Sequence, residues 1–227
     1  MRVAVRINTL LQGEHTPSQA ELSRYATVAS LSDIDSISLQ LPDKDANAWL
    51  KSAQLAMDVF DGPVSVECTA GSDSLDILDQ LRPDMVVLTG ATSTLTSDEL
   101  VGSALRDMCQ ALRTSGIDYA LHVDANLTLV KAARQVEANA VLLPVSQLVK
   151  LRGTDEAVQF MDALESASIG ADRLGMRVLL EGDLDRTAWA AFSTNDLIEG
   201  VIAGPALVQR ALLLGLGSAV RELKSIR

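Results

Sequence analysis

The stretch VIAGPALVQRALLLGLGSAVRELKSIR, residues 201–227, decides the fold. A short apolar run ends at Gly204-Pro205, and a long amphipathic helical pattern follows, so the segment reads as a strand feeding a helix. Proline suits the first helical position, because its fixed φ matches the helix and its missing N–H would be unpaired there anyway. A glycine at such a junction raises a question of chemistry. In α/β proteins, backbone amides and the positive helix end at a strand-to-helix turn hold phosphate groups. Here Pro205 removes one of those amides, and the rest can still attract an anion.

Read outward from this unit, the chain repeats it. Strands are expected near 3–8 (VAVRIN), 36–41 (SISLQL), 63–68 (PVSVEC), 85–89 (MVVLT), 118–124 (DYALHVD), 140–145 (AVLLPV), 176–181 (MRVLLE) and 200–203 (GVIA). Helical patterns lie between them, at 18–30, 46–60, 97–115, 126–138 and 154–175, and a single closing helix follows Gly204. Ser97 with Asp98, and Thr154 with Asp155, read as helix starts. Gly116 and Gly175 stand where helices must turn left-handed before the next strand. No linker or charge block interrupts the pattern, so residues 1–227 read as one domain. Alternating strands and helices imply a parallel sheet, and eight units in this length imply a closed (β/α)8 TIM barrel with outer helices. A doubly wound open sheet is the alternative. The segment after the first strand, VRINTLLQGEH, lacks the Gly-rich turn of a dinucleotide site.

Composition narrows the function. Apolar residues make up 48% and aromatics 3%, so the core is built from Leu, Val, Ile and Ala. A formal charge of −11 excludes the basic footprint of a nucleic-acid binder and disfavours an anionic membrane surface. MRVAVRINTL alternates like a strand and is no apolar signal core, and ALVQRALLLGLGSAV is too short and is broken by Arg210, so a cytoplasmic protein is expected. Cys68 and Cys109 make neither a disulfide framework nor a zinc pattern.

MRVAVRIN, GPVSVECTA, LRPDMVVL and above all GPALVQRALLLGLGSAVRELKSI resemble the pyridoxine 5′-phosphate synthase family of vitamin B6 biosynthesis. The resemblance implies a (β/α)8 barrel over the whole chain. It implies condensation of 1-deoxy-D-xylulose 5-phosphate with 3-amino-2-oxopropyl phosphate to pyridoxine 5′-phosphate, with no metal or organic cofactor. It also implies cytosolic homo-oligomers, octamers in the family.

At the strand ends the resemblance thins. The family's first strand closes Asn-Ile-Asp-His, against Arg6-Ile7-Asn8-Thr9 here. Arg6 is expected to point into the barrel, where a buried guanidinium needs an anion. Glu67 or Glu181 is expected to supply it, making either a structural ion pair or a substrate anchor. The following loop holds arginines in the family and none here, and its His15 reads as solvated. The family's His-Leu-Arg becomes Gln40-Leu41-Pro42, and a second histidine becomes Asn47. Glu67 is the one main catalytic residue that carries over, an acid–base carboxylate in the family or here the partner of Arg6. Cys68 next to it should face the opposite way.

Asp124 is either a mouth residue or, the preferred reading, the cap of the next helix; His122 lies below it as a core histidine. The family's Glu-Leu-His becomes Leu142-Leu143-Pro144, and its Gly-His-Gly becomes Glu181-Gly182-Asp183. Each of those two carboxylates repels a phosphate by roughly 1 kcal/mol per unit-charge pair at about 4 Å in water. Gly-His-Ser becomes Gly204-Pro205-Ala206.

Three functions follow. The chain is a divergent paralogue of the synthase with reduced or no activity, assembling with itself or with an authentic synthase. Alternatively it is a working synthase, or a barrel enzyme repurposed for a cationic or neutral polar ligand at a mouth of Arg6, Asn8, Gln40, Glu67, Asp124, Glu181, Gly182, Asp183 and Gly204. Neither nucleic acid nor membrane is an expected partner.

Overall fold

Eight strands are laid down in chain order and close on themselves: β1 (Arg2–Arg6), β2 (Ser36–Gln40), β3 (Val64–Thr69), β4 (Met85–Thr89), β5 (Asp118–His122), β6 (Ala140–Pro144), β7 (Arg177–Gly182) and β8 (Ile198–Ala203). Every neighbouring pair is parallel, and β8 returns to β1 with Arg2 beside Gly200 and Val5 beside Ala203. The computed structural model describes residues 1–7, 18–42, 45–70 and 74–226. Asn8, Thr9 and His15 lie outside the described residues.

The helices among the described residues are α1 (Gln19–Ser30), α2 (Ala46–Val59), α3 (Leu75–Leu81), α4 (Ser97–Val101), α5 (Ser103–Ser115), α6 (Leu127–Gln135), α7 (Gln147–Leu151), α8 (Asp155–Arg173), α9 (Arg186–Phe192), α10 (Pro205–Leu214) and α11 (Leu216–Ser225). None of them is long and apolar enough to cross a membrane. Strand alternation sorts the side chains into two cores. Val3, Val5, Ile37, Leu39, Val66, Leu88, Leu121, Val141 and Leu180 face outward into the large core beneath the helices. Ala4, Met85, Val87, Ala120, Ala140, Leu142, Leu179 and Ile202 face inward and fill the middle of the lumen.

Two long helices expected from the sequence are each divided by a glycine. Gly102 is extended (φ −65°, ψ 149°) between α4 and α5, and Gly215 takes φ 81° between α10 and α11. Ser97 starts α4 as expected, and the cap before it is Thr96, in a reciprocal capping box with Glu99. Thr154 caps α8 as expected, and Gly116 and Gly175 take the left-handed φ of 70° and 73°. Leu212 and Leu213, near the end of α10, stand 75% and 77% exposed.

Candidate functional site

The carboxyl ends of the strands bring two of the predicted mouth residues, Glu67 and Glu181, onto a third, Arg6. Its β1 position faces the lumen, because Val5 and Ile7 on either side face the helices. The sequence left a choice between Glu67 and Glu181 as partner, and the guanidinium takes both. Nε and Nη2 donate to the two oxygens of Glu67 at 2.9 and 2.8 Å, a fork-to-fork pair, and Nη1 reaches Glu181 Oε1 at 2.9 Å. Burial alone would lower the Arg6 pKa; the charges of Glu67 and Glu181 outweigh it, and the net shift is upward. The guanidinium is therefore a fixed cation whose three nitrogens are each engaged by a carboxylate of its own chain.

The network extends in both directions. Ser38, in register with Arg6 on β2, donates its hydroxyl to Glu67 Oε1 at 2.6 Å. On the other side, His122 Nε2 lies 3.1 Å from Glu181 Oε2. These two atoms are close enough for an ion pair but are not aligned for a hydrogen bond, and both are buried without one among the described residues. Burial holds the His122 imidazole below its ordinary pKa, Arg6 acts in the same direction, and Glu181, Glu67 and Asp124 oppose it without prevailing. The imidazole is thus neutral near pH 7, the core histidine expected.

A pH dependence follows from that shift. Below the ordinary histidine value of about 6.5 the unfolded chain takes up a proton that folded His122 resists, so the unfolded state binds more protons. His122 therefore contributes stability above about pH 6.5 that is lost as pH falls from there toward its lower folded value. Thermal melts between neutral and mildly acidic pH should fall more steeply for the native chain than for His122→Gln, by at most about 1.4 kcal/mol per pH unit. Parallel profiles would refute the assignment.

The last two strands answer the question posed by Gly204. Asp183, just past β7, accepts a hydrogen bond from Ala206 N–H in the first turn of α10. The anion drawn to this helix start is the chain's own carboxylate. Ser146 Oγ accepts from Asp183 N at 3.1 Å, and Gly204 N donates to Gly182 O at 3.0 Å, so the two strand ends are stitched together. The glycines serve this closeness. A Cβ on Gly204 would lie 3.1 Å from Gly182 O and 3.2 Å from Asp183 N, and one on Gly182 would lie 2.9 Å from Ser146 N.

Other expected residues fall elsewhere. Asp124 does not cap the following helix. α6 begins at Leu127, and Asn126, two residues after Asp124, caps it by accepting from Thr128 N at 2.8 Å. Asp124 is exposed at the mouth, and Gln40 is exposed at the end of β2 in register with Glu67. Asn8 is outside the described residues. Cys68 faces the helices as expected, where burial pushes its thiol up to about 12, far from a thiolate nucleophile. Among the described residues no group of three or more His, Cys, Asp or Glu side chains is arranged to hold a metal ion. Sequence reasoning missed Ser38 and the capping role of Asp183. Ser38 was visible in principle, because it lies two residues before Gln40 and so shares its face.

A sequence model of the family described as "Pyridoxal phosphate biosynthesis protein PdxJ" matches residues 7–227. The pyridoxine 5'-phosphate synthase of Synechococcus sp. (strain JA-2-3B'a(2-13)) is 28% identical over 226 residues, covering 96% of this chain and 93% of its own. The protein of the same name from Acaryochloris marina (strain MBIC 11017) is 25% identical over 209 residues, covering 88% and 86%. The structure of 3-hexulose-6-phosphate synthase from Salmonella typhimurium superposes with a TM-score of 0.68 over 100% of this chain and 98% of its own, at 12% identity, a likeness of fold alone.

Proposed function

Because the chain belongs to the pyridoxal phosphate biosynthesis protein PdxJ family, we propose that it is a divergent pyridoxine 5′-phosphate synthase-like barrel with reduced or no synthase activity. The observation that carries this is the engagement of Arg6 by Glu67 and Glu181 inside the lumen. Glu67, the carboxylate that resemblance makes an acid–base group, is held in a bidentate pair and also accepts from Ser38. Asp183 on the first turn of α10 adds support, since it places a negative charge at a helix start that could otherwise attract a phosphate. Neutral, buried His122 contacts Glu181 rather than open space. The same proposal includes a cytoplasmic location and self-association, or assembly with an authentic synthase, for which the exposed Leu212 and Leu213 offer an apolar contact.

The test is a direct assay of the purified chain with 1-deoxy-D-xylulose 5-phosphate and 3-amino-2-oxopropyl phosphate, run beside an authentic synthase. The expected result is no pyridoxine 5′-phosphate, or a rate far below the reference. Product at a comparable rate would overturn the proposal and establish the working-synthase alternative. One observation favours the repurposed-enzyme reading instead: His122 Nε2 and Glu181 Oε2 are buried polar atoms without hydrogen bonds among the described residues. Saturable thermal protection by small amines or polyols, lost in Glu181→Gln, would support that second reading.

A further inference from the structure

The amino-terminal end of the lumen is built differently from the mouth. Ala4, Ser36 and Ser65 place small side chains there, Gly200 has none, and a cavity of about 200 Å³ remains between them. Its apolar wall is formed by Met85, Leu179 and Ile202. Barrel lumens are ordinarily filled in layers by bulky branched side chains, and protein interiors leave few voids larger than a water molecule. Empty apolar cavities of about 150 Å³ take up benzene. Space of this size, with an apolar wall and serines beside it, is a ligand-sized feature.

The rim decides which ligand. Arg2 Nη1 lies 3.4 Å from Glu199 Oε1, Arg177 Nη2 lies 2.8 Å from Asp118 Oδ2, and Arg177 Nε lies 3.9 Å from Glu199 Oε2. Asp84 accepts from Val64 N at 2.8 Å. The charges around the opening are thus engaged with one another or with backbone. A charged ligand would have to compete with these contacts and shed a strongly held hydration shell; a neutral one leaves the contacts intact and gives up much less hydration. A hydroxyl on the ligand finds a partner in Ser65, whose own bond to Ile37 O is long at 3.4 Å.

We propose that the amino-terminal end of the lumen binds a small neutral molecule, with an apolar body about the size of one ring against Met85, Leu179 and Ile202 and a hydroxyl at Ser65. The site lies at the opposite end of the strands from Arg6, Glu67 and Glu181, so it stands or falls independently of any synthase activity.

The full chain carrying ¹³C-methyl methionine would be titrated with benzyl alcohol, benzoate and benzylammonium, with Met85→Leu identifying the reporting resonance. Benzyl alcohol should move the Met85 methyl saturably, and both ions should bind at least about tenfold more weakly. Ser65→Leu should abolish the saturable shift by filling the cavity. Ser36→Val, a milder filling that suits a strand, should weaken binding by about tenfold and guards against misfolding of the larger replacement. No saturable movement with benzyl alcohol, undiminished binding in the folded filled variants, or equal binding of the ions would each overturn the proposal.

Discussion

Arg6→Ala should destabilise the chain by about 3 kcal/mol, at the low end of the 3–5 kcal/mol range for breaking a buried ion pair. The substitution leaves Glu67 and Glu181 facing one lumen without the cation that joins them, and among the described residues Ser38 is the donor that remains to the Glu67 side chain. The side chains are 24%, 6% and 19% exposed, so water relieves part of the charge and the lower figure is the appropriate one. Arg6→Lys should fall between, because a single ammonium cannot reproduce a bidentate fork and a third bond at once. The decisive comparison is the triple variant Arg6→Met, Glu67→Gln, Glu181→Gln. Removing all three charges together should recover most of the loss, since paired burial of ions is of little net benefit over neutral groups of similar size. Urea unfolding with an unchanged m-value measures all of these. A cost below about 1 kcal/mol for Arg6→Ala would mean that the pair is not held as described.

This expectation also bears on activity. A carboxylate whose two oxygens are engaged by a guanidinium, with a serine hydroxyl on one of them, has three of its roughly four accepting positions occupied, which weakens it as a general base. Losing stability on Arg6→Ala, with no gain in synthase turnover, would place Glu67 in the fold rather than in chemistry.

The strands were legible because period-two alternation is short-range, and β4 was bounded to the residue at Met85–Thr89. Left-handed caps at Gly116 and Gly175 were legible for the same reason, since only a local φ is at issue. The breaks at Gly102 and Gly215 were not, because a glycine inside a helical pattern is as compatible with a tolerated interior residue as with a stop. α3 and α9, seven residues each, are too short for a 3.6-residue period to declare itself. At the mouth, face assignment was readable and partner choice was not. Arg6, Glu67, His122 and Glu181 all lie on lumen-facing positions, but which of them meet depends on barrel closure and strand stagger, which no single strand encodes. Asp183 was read as a charge that repels phosphate; that it turns onto Ala206 N–H depends on the angle between the β7 end and α10.

Gly182→Ala should destabilise the fold by about 1–3 kcal/mol, the range for overpacking. The new Cβ would stand 2.9 Å from the Ser146 backbone nitrogen and 3.0 Å from Val145 Cγ2, and the nitrogen cannot swing aside as a side-chain end can. Moving Ser146 away also stretches its hydroxyl from Asp183 N, and with it the position from which Asp183 caps α10. Gly204→Ala should cost a similar or smaller amount, because its Cβ meets Gly182 O and Asp183 N at 3.1 and 3.2 Å, contacts that a shift of a few tenths of an ångström relieves. A phosphate site predicts something different for the same residues. There the glycines admit the ligand's oxygens, so inorganic phosphate should raise the melting temperature of the native chain, and both substitutions should erase that rise while leaving the ligand-free melt nearly unchanged. The packing seen here predicts the reverse: lower melting temperatures for both variants, Gly182→Ala most of all, and no response to phosphate in any of the three proteins. A phosphate-dependent rise in the native chain alone would return the junction at Gly204 to ligand binding and remove Asp183 from its role as the resident anion.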